Sequence, residues 1–170
     1  MSMNDPRELF LHELGDILYV ERKLAEKVLP KLIDEVTDEE FRSGLATHLT
    51  QTRRHVANVE KVFEIFGEEP HAEPCLGFEG LKKEHDELIE KSSSSLIDHI
   101  DLGAAARTEN YEIAAYEAAH GLAARHAGYR RAGMGTRCGV PVPRVNSVRG
   151  SPSWPAPLPP QHQTSAAWVT

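Results

Sequence analysis

The sequence predicts an all-α fold, an antiparallel helical bundle, and three observations carry that prediction. Apolar residues recur in steps of three and four along three long stretches, the spacing that keeps side chains on one helix face. Cap residues and first-turn acids stand where such stretches begin. The connection between the first two stretches is too short for anything but an antiparallel hairpin.

Asp5-Pro6 opens the first helix, with Asp at the cap and Pro in the first turn. Its seam runs Leu11, Leu14, Leu18, Ala25, Val28 and Leu32. Pro30 lies inside that pattern, so a kink is expected before the helix ends near Val36. Thr37-Asp38-Glu39-Glu40 reads as a cap and acidic first turn for the second helix. The second seam is Phe41, Leu45, Val59, Val62 and Phe66, ending near Gly67. Glu68 to Gly77, with two prolines, reads as a loop. A shorter helix is expected over 78–91, broken by the serine run Ser92 to Ser95. Asp98 or Asp101 is the expected cap of a last helix running to about Arg125, with the seam Leu102, Ala105, Tyr116, Ala119 and Ala123. Helices of about 25–30 residues span roughly 40 Å, long enough to hold a site at mid-length.

At 170 residues the chain reads as one helical domain, 1–125, followed by a tail, 126–170. All 26 acids and 13 of the 19 bases lie in residues 1–117, while residues 118–170 hold six arginines and no Asp, Glu or Lys. Seven of the 11 prolines fall after residue 140, which forbids a continuous helix there. Two readings of the tail stand side by side: a disordered Arg/Pro-rich interaction segment, or a segment translated out of frame. Neither builds a core. No apolar run approaches the roughly 20 residues of a membrane span. No secretory signal is visible at the N-terminus, and two cysteines make no disulfide framework, so the cytoplasm is the expected compartment. The net charge of −7 argues against nucleic acid as a main partner. The arginine tail alone could reach nucleic acid, but few aromatics accompany it.

Each of the three seams is interrupted by polar residues. Glu21 fills a slot in the first, His48, Thr52 and His55 fill slots in the second, and Glu109 and Glu112 lie inside the third. Singly, each has a bland reading. Glu21 could snorkel or pair with a lysine, Glu109 and Glu112 could pair with Arg107, and a histidine on an apolar stripe is usually a hydrogen-bonded core residue. Jointly they imply convergence, because a buried carboxylate costs several kcal/mol unless paired or metal-bound. Carboxylate oxygen with imidazole suits iron, manganese or zinc, and the absence of thiolate argues against a soft structural site. Bundles with two metals draw a Glu from each of two helices and Glu-x-x-His pairs from the others. Elsewhere, Cys75 reads as a packing thiol or a dipole-activated one, and His71 and His85 read as surface residues. The glycines at 133, 135 and 139 follow no strand and bind no phosphate.

Four blocks carry a resemblance: DPRELFLHELGDILYVERKL (5–24), HLTQTRRHVANVEKVFE (48–64), CLGFEGLKKEHDEL (75–88) and RTENYEIAAYE (107–117). In order and spacing they resemble the YciE/YciF-type branch of the ferritin-like superfamily over roughly the first 120 residues. The resemblance implies a ferritin-like four-helix bundle and a stress-associated protein with a di-metal site. It places metal ligands at Glu21, His55, Glu109 and Glu112, with His48 and Gln51 as secondary candidates. Two departures stand out. The family offers a glutamate just before the helix-two histidine, where this chain has Thr50 and Gln51, and its fourth long helix is here missing or replaced by the irregular tail.

The expected function is therefore a ferritin-like, stress-associated metal-binding protein of the di-iron or di-manganese carboxylate type with an incomplete site. Iron or manganese is expected before zinc. The alternative is a non-catalytic helical interaction or stress protein whose polar seam residues specify register through hydrogen bonds. An apolar face left uncovered by the tail predicts a homo-oligomer.

Overall fold

The computed structural model describes residues 3–125, which form an antiparallel bundle of α-helices without a strand among them. The expectations for 126–170 lie outside the described residues. Helix α1 spans Pro6–Lys23, and Asp5 caps it by accepting the Arg7 N–H at 2.8 Å. Pro6 sits in the first turn, where its missing N–H leaves no bond unmade.

The kink expected at Pro30 takes the form of a π turn, Leu24–Val28, between α1 and helix α2, Leu29–Glu35. A proline inside a helix lacks the N–H and crowds the carbonyl one turn back. Here one widened turn absorbs both, with the Leu29 N–H reaching the Leu24 carbonyl. Asp38 caps helix α3, Glu39–Ile65, by accepting the Phe41 N–H at 2.7 Å. Arg42 closes the α2–α3 hairpin by donating to the Ile33 carbonyl at 3.1 Å and to the Val36 carbonyl, while pairing with Glu39. Those carbonyls are orphans of the α2 terminus. At its other end α3 stops at Gly67, whose φ of 73° few side chains tolerate. The Gly67 and Glu68 N–H groups fold back onto the Glu64 and Phe63 carbonyls, each at 3.0 Å.

The following loop runs back along α1, its Glu73 N–H donating to the Gly15 carbonyl at 3.0 Å. A Cβ at Gly15 would lie 2.8 Å from the Glu73 side chain, so the close approach needs glycine. Helix α4 spans Leu76–Lys91 and starts earlier than residue 78 because the Cys75 sulfur accepts the Phe78 N–H at 3.5 Å. After a short 3₁₀ turn, helix α5 covers Ile97–Arg125. Neither Asp98 nor Asp101 caps it. Asp98 accepts the Thr37 hydroxyl at 2.5 Å, tying the start of α5 to the α2–α3 turn, and Asp101 turns inward to His85.

Helix α1 packs against both α3 and α5, α2 against α3, and α4 against α5. Two apolar clusters fill the interior. Phe10, Leu14, Leu18, Phe63 and Tyr116 belong to one, and Leu24, Leu32, Phe41, Leu45 and Phe78 to the other. Full burial of each large side chain contributes about 1.5–3 kcal/mol in gross transfer terms. No helix among the described residues is long and apolar enough to cross a membrane.

Candidate metal centre

Between the two apolar clusters lies Glu21, wholly shielded from solvent on α1, three residues before the π turn. One of its oxygens, Oε1, accepts the Tyr116 hydroxyl at 2.5 Å and lies 3.2 Å from His55 Nδ1. The other, Oε2, has no hydrogen-bond partner. A buried carboxylate oxygen without a partner is costly, and it is also a free donor for a cation.

Tyr116 and Glu112 stand one turn apart on α5, and Glu109 lies three residues earlier on the same face. Glu112 is buried, and its pKa is driven well above the usual carboxylate range by burial first, then by the charges of Glu21 and Glu109, and by the approach of its carboxyl to that of Glu21 within hydrogen-bonding reach. Glu109 Oε1 sits 2.8 Å from His48 Nε2 on α3. Burial opposes the charge of His48, but the hydrogen bond and charge of Glu109, with the charge of Glu21, outweigh it and raise its pKa. One potential ligand atom from each of His48, Glu109 and Glu112 falls within 4.8 Å of the other two. Two ligands of one ion at about 2.0–2.2 Å lie no more than about 4.4 Å apart, so holding an ion asks these side chains to close to that span.

His48, Glu109 and Glu112 thus form one cluster, on which Glu21 acts through its charge, and His55 adjoins Glu21. Gln51 is exposed and adds slightly to the raised His48 pKa. Thr50 is also exposed, bonding back to the Ala46 carbonyl at 3.2 Å. The residue on the inward stripe before His55 is instead Thr52, fully buried with an unpartnered Oγ1. It sits three residues ahead of the histidine, the Glu-x-x-His spacing. Tyr116 reads in the sequence as an ordinary seam residue, yet a tyrosine buried near acids must find its hydroxyl a partner. The residues present fit a hard or borderline cation: oxygen and imidazole donors, two unpartnered buried oxygens and no sulfur.

Other groups depart from the surface roles that the sequence suggests. His85 is not a surface residue. Its Nε2 lies 2.7 Å from Asp101 Oδ1, with the two side chains only 15% and 2% exposed. The hydrogen bond to Asp101 is the main cause of a raised His85 pKa, with Asp86 adding to it. Cys75 is buried, its sulfur 2.7 Å from the Tyr111 hydroxyl. His71 is exposed, with its ring 4.8 Å from that of Phe63.

Comparison with known proteins adds four findings. The family model described as "Domain of unknown function (DUF892)" matches residues 5–132. Protein YciF of Escherichia coli (strain K12) is 30% identical over 134 residues, covering 78% of this chain and 80% of YciF. Among solved structures, YcfI of Rhodopseudomonas palustris, proposed there to be structural, is 30% identical with a TM-score of 0.70, over 77% of this chain and 85% of that one. The crystal structure of the E. coli stress protein YciF gives a TM-score of 0.66 at 29% identity, over 78% and 83% of the two chains.

Proposed function

The chain belongs to the DUF892 family, and from that footing we propose that it is a ferritin-like, stress-associated protein that binds a single divalent cation, iron or manganese. The observation that carries this reading is the approach of His48, Glu109 and Glu112 ligand atoms to within 4.8 Å of one another. Glu21 is close enough for its charge to act on His48 and Glu112, and its Oε2, without a hydrogen-bond partner, could join the coordination. A centre with two metals asks for four carboxylates, and Glu21, Glu109 and Glu112 supply three. The likeness to a stress protein supports the physiological half of the proposal.

Anaerobic titration of metal-free protein with ferrous iron, and separately with manganese, tests it. Wild type should bind one equivalent, and Glu109→Ala and Glu112→Ala should each weaken binding by about tenfold or more. Equal binding by all three proteins would leave the carboxylates purely structural.

A second reading has its own support. Tyr116 and His55 both approach Glu21 Oε1, and His48 is already paired with Glu109, so much of the cluster is satisfied without a cation. Such a buried network can serve register alone, and the R. palustris relative is proposed to be structural. Metal content of protein purified without chelators separates the two readings.

A further inference from the structure

Beside the His48–Glu109 pair lies a cavity of about 90 Å³. Its walls include Leu24, Val28, Leu32, Phe41, Leu45 and Phe78. We propose that this cavity binds a small, neutral, apolar molecule of short alkyl type and presents it to the acid–imidazole centre.

Three observations carry the proposal. The first is how the space is kept open. Leu24 and Val28 reach the cavity from the π turn, and small residues, Gly44, Ala104 and Ala105, form part of the facing wall. A Cβ added at Gly44 would meet nothing within 4 Å. Glycine inside a helix is destabilising relative to alanine, so packing alone gives no reason for it there. The second is size. The cavity is smaller than the ~150 Å³ apolar cavity that takes up benzene, so its guest has on the order of five heavy atoms. The third is charge. Each basic side chain on the wall already has an acid: His48 has Glu109, His85 has Asp101, and Lys82 has Asp86 at 2.5 Å. Glu40, the remaining acid there, lies in the first turn of α3 and faces water. An ionic guest would lose its hydration and find only this exposed carboxylate, which water already serves, whereas an apolar one has no such hydration to lose.

Occupancy of the cavity stands on these observations alone. The guest's place beside a cation rests on the metal-binding reading. The test uses the full, metal-free chain and follows leucine and valine methyl resonances while n-pentane is added, with pentanoate and pentylammonium as charged controls. Pentane should shift the Leu24, Val28 and Leu45 methyls saturably, and the controls should not. Gly44→Phe and, separately, the helix-compatible Ala105→Leu should weaken pentane binding by about tenfold or more. No saturable shift, equal binding of either control, or undiminished binding by folded Ala105→Leu would overturn the proposal. Manganese titration of the same samples reads the centre independently. Pentane binding without manganese binding removes the metal reading and keeps the cavity, and the converse removes the cavity and keeps the metal.

Discussion

Tyr116 on α5 and Glu21 on α1, 95 residues apart in sequence, share a 2.5 Å hydrogen bond in the middle of the core. Burial, followed by the Glu21 charge, pushes the Tyr116 pKa well above its ordinary value, so the hydroxyl keeps its proton throughout the working range. Tyr116→Phe keeps the ring and removes only that donor. Losing a buried hydrogen bond to a carboxylate should cost about 1.5–3 kcal/mol, read from the urea midpoint at unchanged m-value. A loss below about 0.5 kcal/mol, the level of an ordinary surface change, would mean that Glu21 does not depend on the tyrosine.

The two imidazoles of α3 should divide their labour. His48 Nε2 lies in the cluster with Glu109 and Glu112, whereas His55 only flanks Glu21 Oε1. His48→Gln should therefore weaken manganese binding about tenfold or more, with little change in stability. His55→Gln should show the reverse pattern in parallel calorimetry and denaturant melts.

Stability should depend on pH through His85. Hydrogen bonding to Asp101, with smaller help from Asp86, raises its folded-state pKa above the ordinary 6.5. The raised direction means that this stabilisation is complete below pH 6.5 and is lost as pH climbs through the folded value. His85→Ala strands a buried Asp101, whose Oδ2 already lacks a partner. The expected cost is about 2 kcal/mol at pH 6, shrinking at pH 9 as the wild type loses the same contribution. A cost independent of pH across that window would assign the histidine a packing role only.

Local signals in the sequence were the legible ones. Asp5 and Asp38 cap where they stand because an N-cap acts within three residues. Cys75 escaped notice as a cap because a thiol rarely fills that position, and α4 consequently begins two residues before its expected start. Pro30 marked a disturbance, but nothing local says that a π turn will absorb it. In the centre, seam spacing marked Glu21, His48, His55, Glu109 and Glu112, since a charge in an apolar stripe is conspicuous. Which imidazole joins which acid depends on the relative height of α3 and α5, and periodicity along one helix carries no such information. His85 read as a surface residue for the same reason: its partner Asp101 lies on another helix.

Arg42 offers a stability test remote from the centre. It serves carbonyls of Ile33 and Val36 at the end of α2 while sitting in the first turn of α3. Arg42→Ala should cost about 1.5–3 kcal/mol, the range for hydrogen bonds that involve a charged group. Amide exchange should quicken around the α2–α3 turn and remain unchanged near Tyr116. Uniform quickening throughout the bundle would show that the hairpin closure is not a local device.

The last prediction concerns assembly. Helix α1 packs closely against both α3 and α5, whereas the α3 and α5 backbones lie farther apart and meet through side chains such as His48 and Glu109. Along that gap Val56 on α3, with Ala115 and Leu122 on α5, remain only partly buried at the edge of the Phe63 cluster. Apolar stripes of this kind are stable when they face another stripe, and a second copy can supply one through a two-fold axis. The full chain should therefore sediment as a dimer at micromolar concentration, with a melting temperature that rises with protein concentration. Val56→Glu places a charge at that edge and should shift the protein toward monomer without unfolding it, because the site is partly exposed in the single chain. A monomer whose melting is cooperative and independent of concentration would contradict this account.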